Sequence, residues 1–146
     1  MSTRQSSEVG ALILRVALGV VFIAHSIYLK LVVYTLPGTA EYFVSIGLPG
    51  SLAYLVFVAE ATGGIALILG VYTRLVAAAL VPIALGAWWA HLDAGWLFTN
   101  QGGGWEYPAL LAVALLVQLS SETGLWLGSA RCRLRRVQDR NLESRD

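Results

Sequence analysis

At 146 residues, 57% hydrophobic and only 13% charged, the chain carries too few charges to cover a soluble domain, where about a quarter is usual. The apolar residues fall in long blocks, and the formal net charge of +1 hides a basic tail holding Arg131, Arg133, Arg135, Arg136, Arg140 and Arg145. Beside a hydrophobic segment that tail reads as a membrane-surface anchor, so no nucleic-acid partner is expected. The single cysteine, Cys132, excludes an intrachain disulfide and dithiol exchange.

In chain order, residues 1–8 form a short N-terminus bearing Arg4, and residues 9–128 hold four apolar blocks. About 20 apolar residues are needed to cross a bilayer. The first block, residues 10–34, is interrupted by Arg15, His25 and Lys30. No small-x-small cleavage site follows it, so it reads as a retained span rather than a signal peptide. The second, residues 51–72, contains Glu60; the third, residues 75–92, contains Pro82 and His91. The fourth, residues 107–127, carries Pro108 in its first turn, where a missing N–H costs nothing. Residues 129–146 are the basic tail. Runs such as Leu75 to Gly86 lack the alternation of barrel strands.

The connections orient these blocks. Segments 35–50 and 93–106 contain no Lys or Arg, whereas the N-terminus, the turn at Arg74 and the tail are basic. Basic segments stay in the cytoplasm. The expected fold is therefore an all-α, integral-membrane, up-down four-helix bundle with both termini cytoplasmic and two outward loops. Helices two and three form an antiparallel hairpin around Arg74. Small residues four apart, Ala66 with Gly70 and Gly86 with Ala90, predict close helix approach.

An ionisable group inside a span costs roughly 2.5–3.5 kcal/mol near its centre. Arg15 is expected to snorkel to the inner headgroups and Lys30 towards the outer ones. Glu60 has no such escape: it lies roughly 13 Å below the outer surface at 1.5 Å per residue. It must be neutral, paired or facing a hydrated cavity, and His25 and Lys30 are its natural partners. His91 and Glu106 fall at the same outer end, among the belt residues Trp88, Trp89, Trp96 and Trp105. Tyr107 opens the fourth span beside them. Two histidines on different helices give weak grounds for haem, and no metal site is expected. The run Gly102-Gly103-Gly104 follows no strand, so it reads as a flexible lid over the outer mouth rather than a phosphate loop.

Four stretches together resemble the DoxX family of small bacterial membrane proteins. They are Leu14-Arg15 through Ala24-His25 to Lys30-Leu31; Ala59-Glu60-Ala61-Thr62-Gly63-Gly64 with Leu69-Gly70-Val71-Tyr72-Thr73-Arg74; His91 with Gly95 and Phe98; and Gly104-Trp105-Glu106-Tyr107-Pro108. Ser26 departs from the glycine that commonly follows the histidine, and Ser121-Glu122-Thr123-Gly124 replaces a Gly-Pro-Gly-like turn. The resemblance implies the bacterial inner membrane and an association with quinone-linked redox enzymes, as a subunit that need not be catalytic.

The functional expectation is a redox-associated accessory protein binding a quinone-like or other small apolar ligand in an outward-facing polar pocket. Glu60 and His25 would hold its polar atoms or relay a proton, with Lys30, His91, Glu106 and Tyr107 shaping the mouth. Two alternatives stand beside it: a small transporter, and a membrane scaffold that recruits a cytoplasmic partner through the tail. Homo-oligomerisation or a redox-enzyme partner is compatible with each.

Overall fold

The computed structural model describes residues 3–121, and every regular element among them is helical. Helix α1 spans Thr3–Ile23 and runs without a break into a π-helical segment, Ala24–Val33. Helix α2 spans Leu36–Ser45, α3 Ser51–Leu69, α4 Thr73–Ala90 and α5 Glu106–Ser120. A single 3₁₀ turn, Leu92–Ala94, follows α4. The expected tail, Cys132 and the end of the fourth block lie outside the described residues.

Three of these helical stretches, Ser6–Val33, Ser51–Leu69 and Thr73–Ala90, are long and apolar enough to cross a membrane; α5 is a shorter apolar helix. Helix α1 packs on α3, α3 on α4, α4 on α5, and α5 back on α1. The surface is apolar: Ile13 is 64% exposed, Leu55 64% and Leu110 66%. The polar side chains Arg15, Ser26, Glu60, Thr73 and Gln118 are buried instead. Apolar-outside, polar-inside is the pattern of a chain whose solvent is hydrocarbon.

The middle of this body is a layer of Leu18, Phe22, Leu67, Leu80 and Leu115 with Ala77, Ala84 and Ala112 between them. The buried positions recur at helical spacing, as Thr73, Ala77, Leu80 and Ala84 do on α4. Where α1 crosses α3 the backbones almost touch. A Cβ on Gly19 would lie 2.7 Å from the Gly64 carbonyl oxygen, and one on Gly64 would lie 2.8 Å from that of Gly19. The close approach expected at Gly86 does not occur: Gly86 is exposed, with nothing within 4 Å of a Cβ placed there. Gly86 faces outward because α4 turns Leu80 and Ala84 inward.

Two further expectations are corrected. Residues 35–50 are not a plain loop, because α2 occupies most of them. Thr35 caps its start, accepting a hydrogen bond from the Gly38 N–H at 3.2 Å, with Pro37 in the first turn. Thr35 does so with a positive φ of 61° and an extended ψ of 154°. The second correction concerns Arg15, which is buried among the helices rather than snorkelling to the inner headgroups. It is 6% exposed, and its guanidinium lies against Gly70, where a Cβ would stand 2.7 Å from Nη1. Gly70 ends α3 with φ 76°, as glycine does in a left-handed C-cap.

Candidate polar site at one end of the helices

The switch of helix type places the first group. In an α-helix, side chains five residues apart diverge by about 140° at 3.6 residues per turn. The wider i→i+5 turn of a π-helix brings them closer to one line. Tyr34 N–H donates to Leu29 O at 2.8 Å, an i→i+5 bond that closes the π segment. Lys30, in this segment, turns towards α3, and His25, five residues before it, lies within electrostatic reach of the same helix.

Lys30 Nζ donates to Glu60 Oε2 and forms an ion pair with it; the side chains are 17% and 7% exposed. The His25 imidazole lies within electrostatic reach of the same carboxylate. Its Nδ1–H donates to Val21 O at 2.9 Å, because a carbonyl can only accept. That bond fixes the ring and leaves Nε2 as the atom facing away from the backbone. The opposite wall is Tyr107 at the start of α5, stacked on His25 with centroids 5.5 Å apart and planes 14° apart. Four of the six residues singled out in the sequence, His25, Lys30, Glu60 and Tyr107, are therefore linked from three helical elements.

His91 and Glu106 lie at the same end but make other contacts. His91 Nδ1–H donates to Ala87 O at 2.7 Å, and its Nε2 lies 3.7 Å from a Cβ placed on Gly103. Glu106 Oε1 accepts from the Phe98 N–H at 2.9 Å. The connection between α4 and α5 is thereby fastened rather than free, contrary to the flexible lid expected from its glycines. Trp105 N–H donates to Gly95 O at 3.0 Å, Glu106 N–H to Trp96 O at 3.2 Å, and Trp96 packs edge-on against Trp105 at 4.4 Å. Gly104 is needed at the tightest point, where a Cβ would lie 2.2 Å from Leu97 O.

A cleft of about 340 Å³ opens nearby between the ends of α2 and α4, lined by Ser45, Ile46, Trp89, Ala90, Leu92 and Asp93. Lys30 and Glu60 do not line it. Among the described residues, no group of three or more His, Cys, Asp or Glu could hold a metal ion.

A chain whose regular elements among the described residues are all helical, with apolar exteriors and a buried lysine–glutamate pair, is a membrane protein of the small helical class. The DoxX family model matches residues 10–93, more than half of the chain, and the chain belongs to that family. It is also similar to a protein of Bacillus subtilis (strain 168) named "Putative oxidoreductase CatD", at 35% identity over 83 residues. The alignment covers 57% of this chain and 60% of that relative, so this chain spans less than two thirds of its length. No solved structure matches the chain significantly.

Proposed function

We propose that the chain is a redox-associated accessory protein that binds a quinone-like ligand, a small apolar ring with carbonyl oxygens, at the Lys30–Glu60–His25–Tyr107 site. It sits in the bacterial inner membrane as a four-helix bundle with α5 as the fourth span, both termini cytoplasmic and this site towards the outer face. The charge distribution supports that orientation, since α1 opens beside Arg4, the turn between α3 and α4 carries Arg74, and the sequence that follows α5 is rich in arginine.

The observation that carries the ligand reading is the buried ion pair beside a stacked aromatic wall. A quinone needs donors for its carbonyl oxygens next to flat apolar surface. The Lys30 ammonium is such a donor, Tyr107 offers the surface, and Glu60 with His25 offers acceptors for protons taken up on reduction. The residues thus fit the ligand class, and quinone chemistry itself would be supplied by the ligand. The name of the Bacillus subtilis relative is consistent with a redox setting. A transporter is less well supported, because the layer of Leu18, Phe22, Leu67, Leu80 and Leu115 separates this site from the other end.

Native mass spectrometry and an absorption spectrum of the full chain in mild detergent test the proposal. The expected result is a quinone-sized adduct on the wild type that is absent from Glu60→Gln at equal folded yield. An adduct of equal occupancy on both proteins overturns it.

A further inference from the structure

The opposite end of the helices carries a second buried polar layer that the ligand reading does not use. Each helix continues one turn beyond the apolar layer: from Leu18 back to Arg15, from Leu67 on to Gly70, from Ala77 back to Thr73, and from Leu115 on to Gln118. All four of these residues are buried, Arg15 at 6% exposed, Thr73 at 3% and Gln118 at 1%.

Two of them lack partners. Arg15 Nε and Gln118 Oε1 are buried with no hydrogen bond, and Arg15 makes no ion pair among the described residues. A guanidinium stays ionised, so burial leaves it in need of a counter-charge. Gly70 makes room for it, since any Cβ there would collide with the guanidinium. Three residues on, α4 begins at Thr73 without a side-chain cap, because its N-cap residue is Tyr72, in a left-handed conformation. The first amide of this helix to meet a carbonyl of the turn is that of Val76, on Tyr72 O at 2.9 Å. The positive end of an 18-residue helix thus follows within three residues of Gly70, against which lies a guanidinium with no ion pair among the described residues. Arg74 is committed elsewhere, its Nε donating to Leu119 O at 3.1 Å.

We infer that Arg15 and the uncapped start of α4 form an oxyanion site for a phosphate group, with Gln118 beside it accepting from a hydroxyl of the same ligand. Planar guanidinium donors and free helix-end amides are matched to tetrahedral oxyanions. Arg15 lies five residues, about 7.5 Å, inside the start of the apolar run at Gly10. A phosphate drawn in slightly from the membrane surface reaches that depth, and so does free phosphate. Phosphatidylglycerol supplies both the charge and the hydroxyls.

Thermal unfolding of the full chain in neutral detergent distinguishes the sources. The probes are short-chain phosphatidylglycerol, short-chain phosphatidylcholine and inorganic phosphate. Phosphatidylglycerol is expected to raise the wild-type midpoint by at least about 3 °C, phosphatidylcholine much less, and Arg15→Gln is expected to show no such gain. An equal gain with inorganic phosphate alone, again lost in Arg15→Gln, assigns the site to the free anion. No gain in the wild type with either anionic probe overturns the inference, as does an equal gain in Arg15→Gln. Should that variant fail to accumulate, Arg15→Lys keeps the charge without Nε and the planar fork, and its gain is expected to be less than half. A full gain in Arg15→Lys overturns the inference in that case.

Discussion

Lys30 and Glu60, thirty residues apart in sequence, meet as a buried ion pair between the π-helical segment and the middle of α3. The contact depends on a local change of helix type, since Lys30 and its neighbour His25 approach one face only where the turn widens. Stability and ligand chemistry both converge on this pair.

Removing one partner should leave the other charge uncompensated. Lys30→Met or Glu60→Leu alone is expected to destabilise the folded chain by about 3–5 kcal/mol at most, less where Lys30 remains partly hydrated. The double variant Lys30→Met with Glu60→Leu should recover most of that loss. Chemical denaturation in micelles reads all three, and additive losses in the double variant would show that the pair is not coupled.

The crossing of α1 and α3 gives a second expectation. Gly64→Ala introduces a Cβ 2.8 Å from Gly19 O and should cost about 1–3 kcal/mol. Gly86→Ala meets nothing within 4 Å and should be neutral or stabilise the helix by about 0.5–1 kcal/mol. Thermal midpoints in the same detergent decide the matter; equal losses would place the close approach elsewhere.

Glu106 makes a separate prediction because it clasps a loop rather than joining Glu60. Glu106→Ala removes the acceptor of the Phe98 N–H and should speed hydrogen exchange at residues 96–100 by roughly tenfold, the equivalent of about 1.4 kcal/mol. Exchange in α3 around Glu60 should not change. If the whole outer end loosens together, Glu106 belongs to the Glu60 site after all.

The stack of His25 on Tyr107 should persist in Tyr107→Phe and fail in Tyr107→Ala. A double-mutant cycle with His25→Ala is expected to give a coupling of about 0.5–1.5 kcal/mol. A coupling near zero would mean that the rings merely lie near one another.

Much of this arrangement was legible in the sequence, and the exceptions have physical causes. Long apolar blocks announced the spans, and Glu60 stood out because a short carboxylate in mid-block cannot reach water. Helix α2 was missed because a search for spans discards ten-residue segments, although Thr35 and Pro37 already carried the signal of a helix start. The π register leaves no mark in composition, so the alignment of His25 with Lys30 was hidden. The long stem of Arg15 predicts snorkelling to the inner headgroups; the side chain is instead buried among the helices, because Gly70, with no Cβ, leaves space for the guanidinium. Depth alone placed His91 and Glu106 with Glu60, but depth does not say which way a side chain turns.

The central claim is that the buried pair and its aromatic wall bind a quinone-like ring. The most direct measurement is an equilibrium titration of the full chain in nanodiscs with a short-chain quinone, followed by quenching of tryptophan fluorescence. Wild type and Glu106→Ala are expected to bind alike, and Glu60→Gln at least about tenfold more weakly, a difference of 1.4 kcal/mol or more. Equal affinity in Glu60→Gln and the wild type would contradict the account.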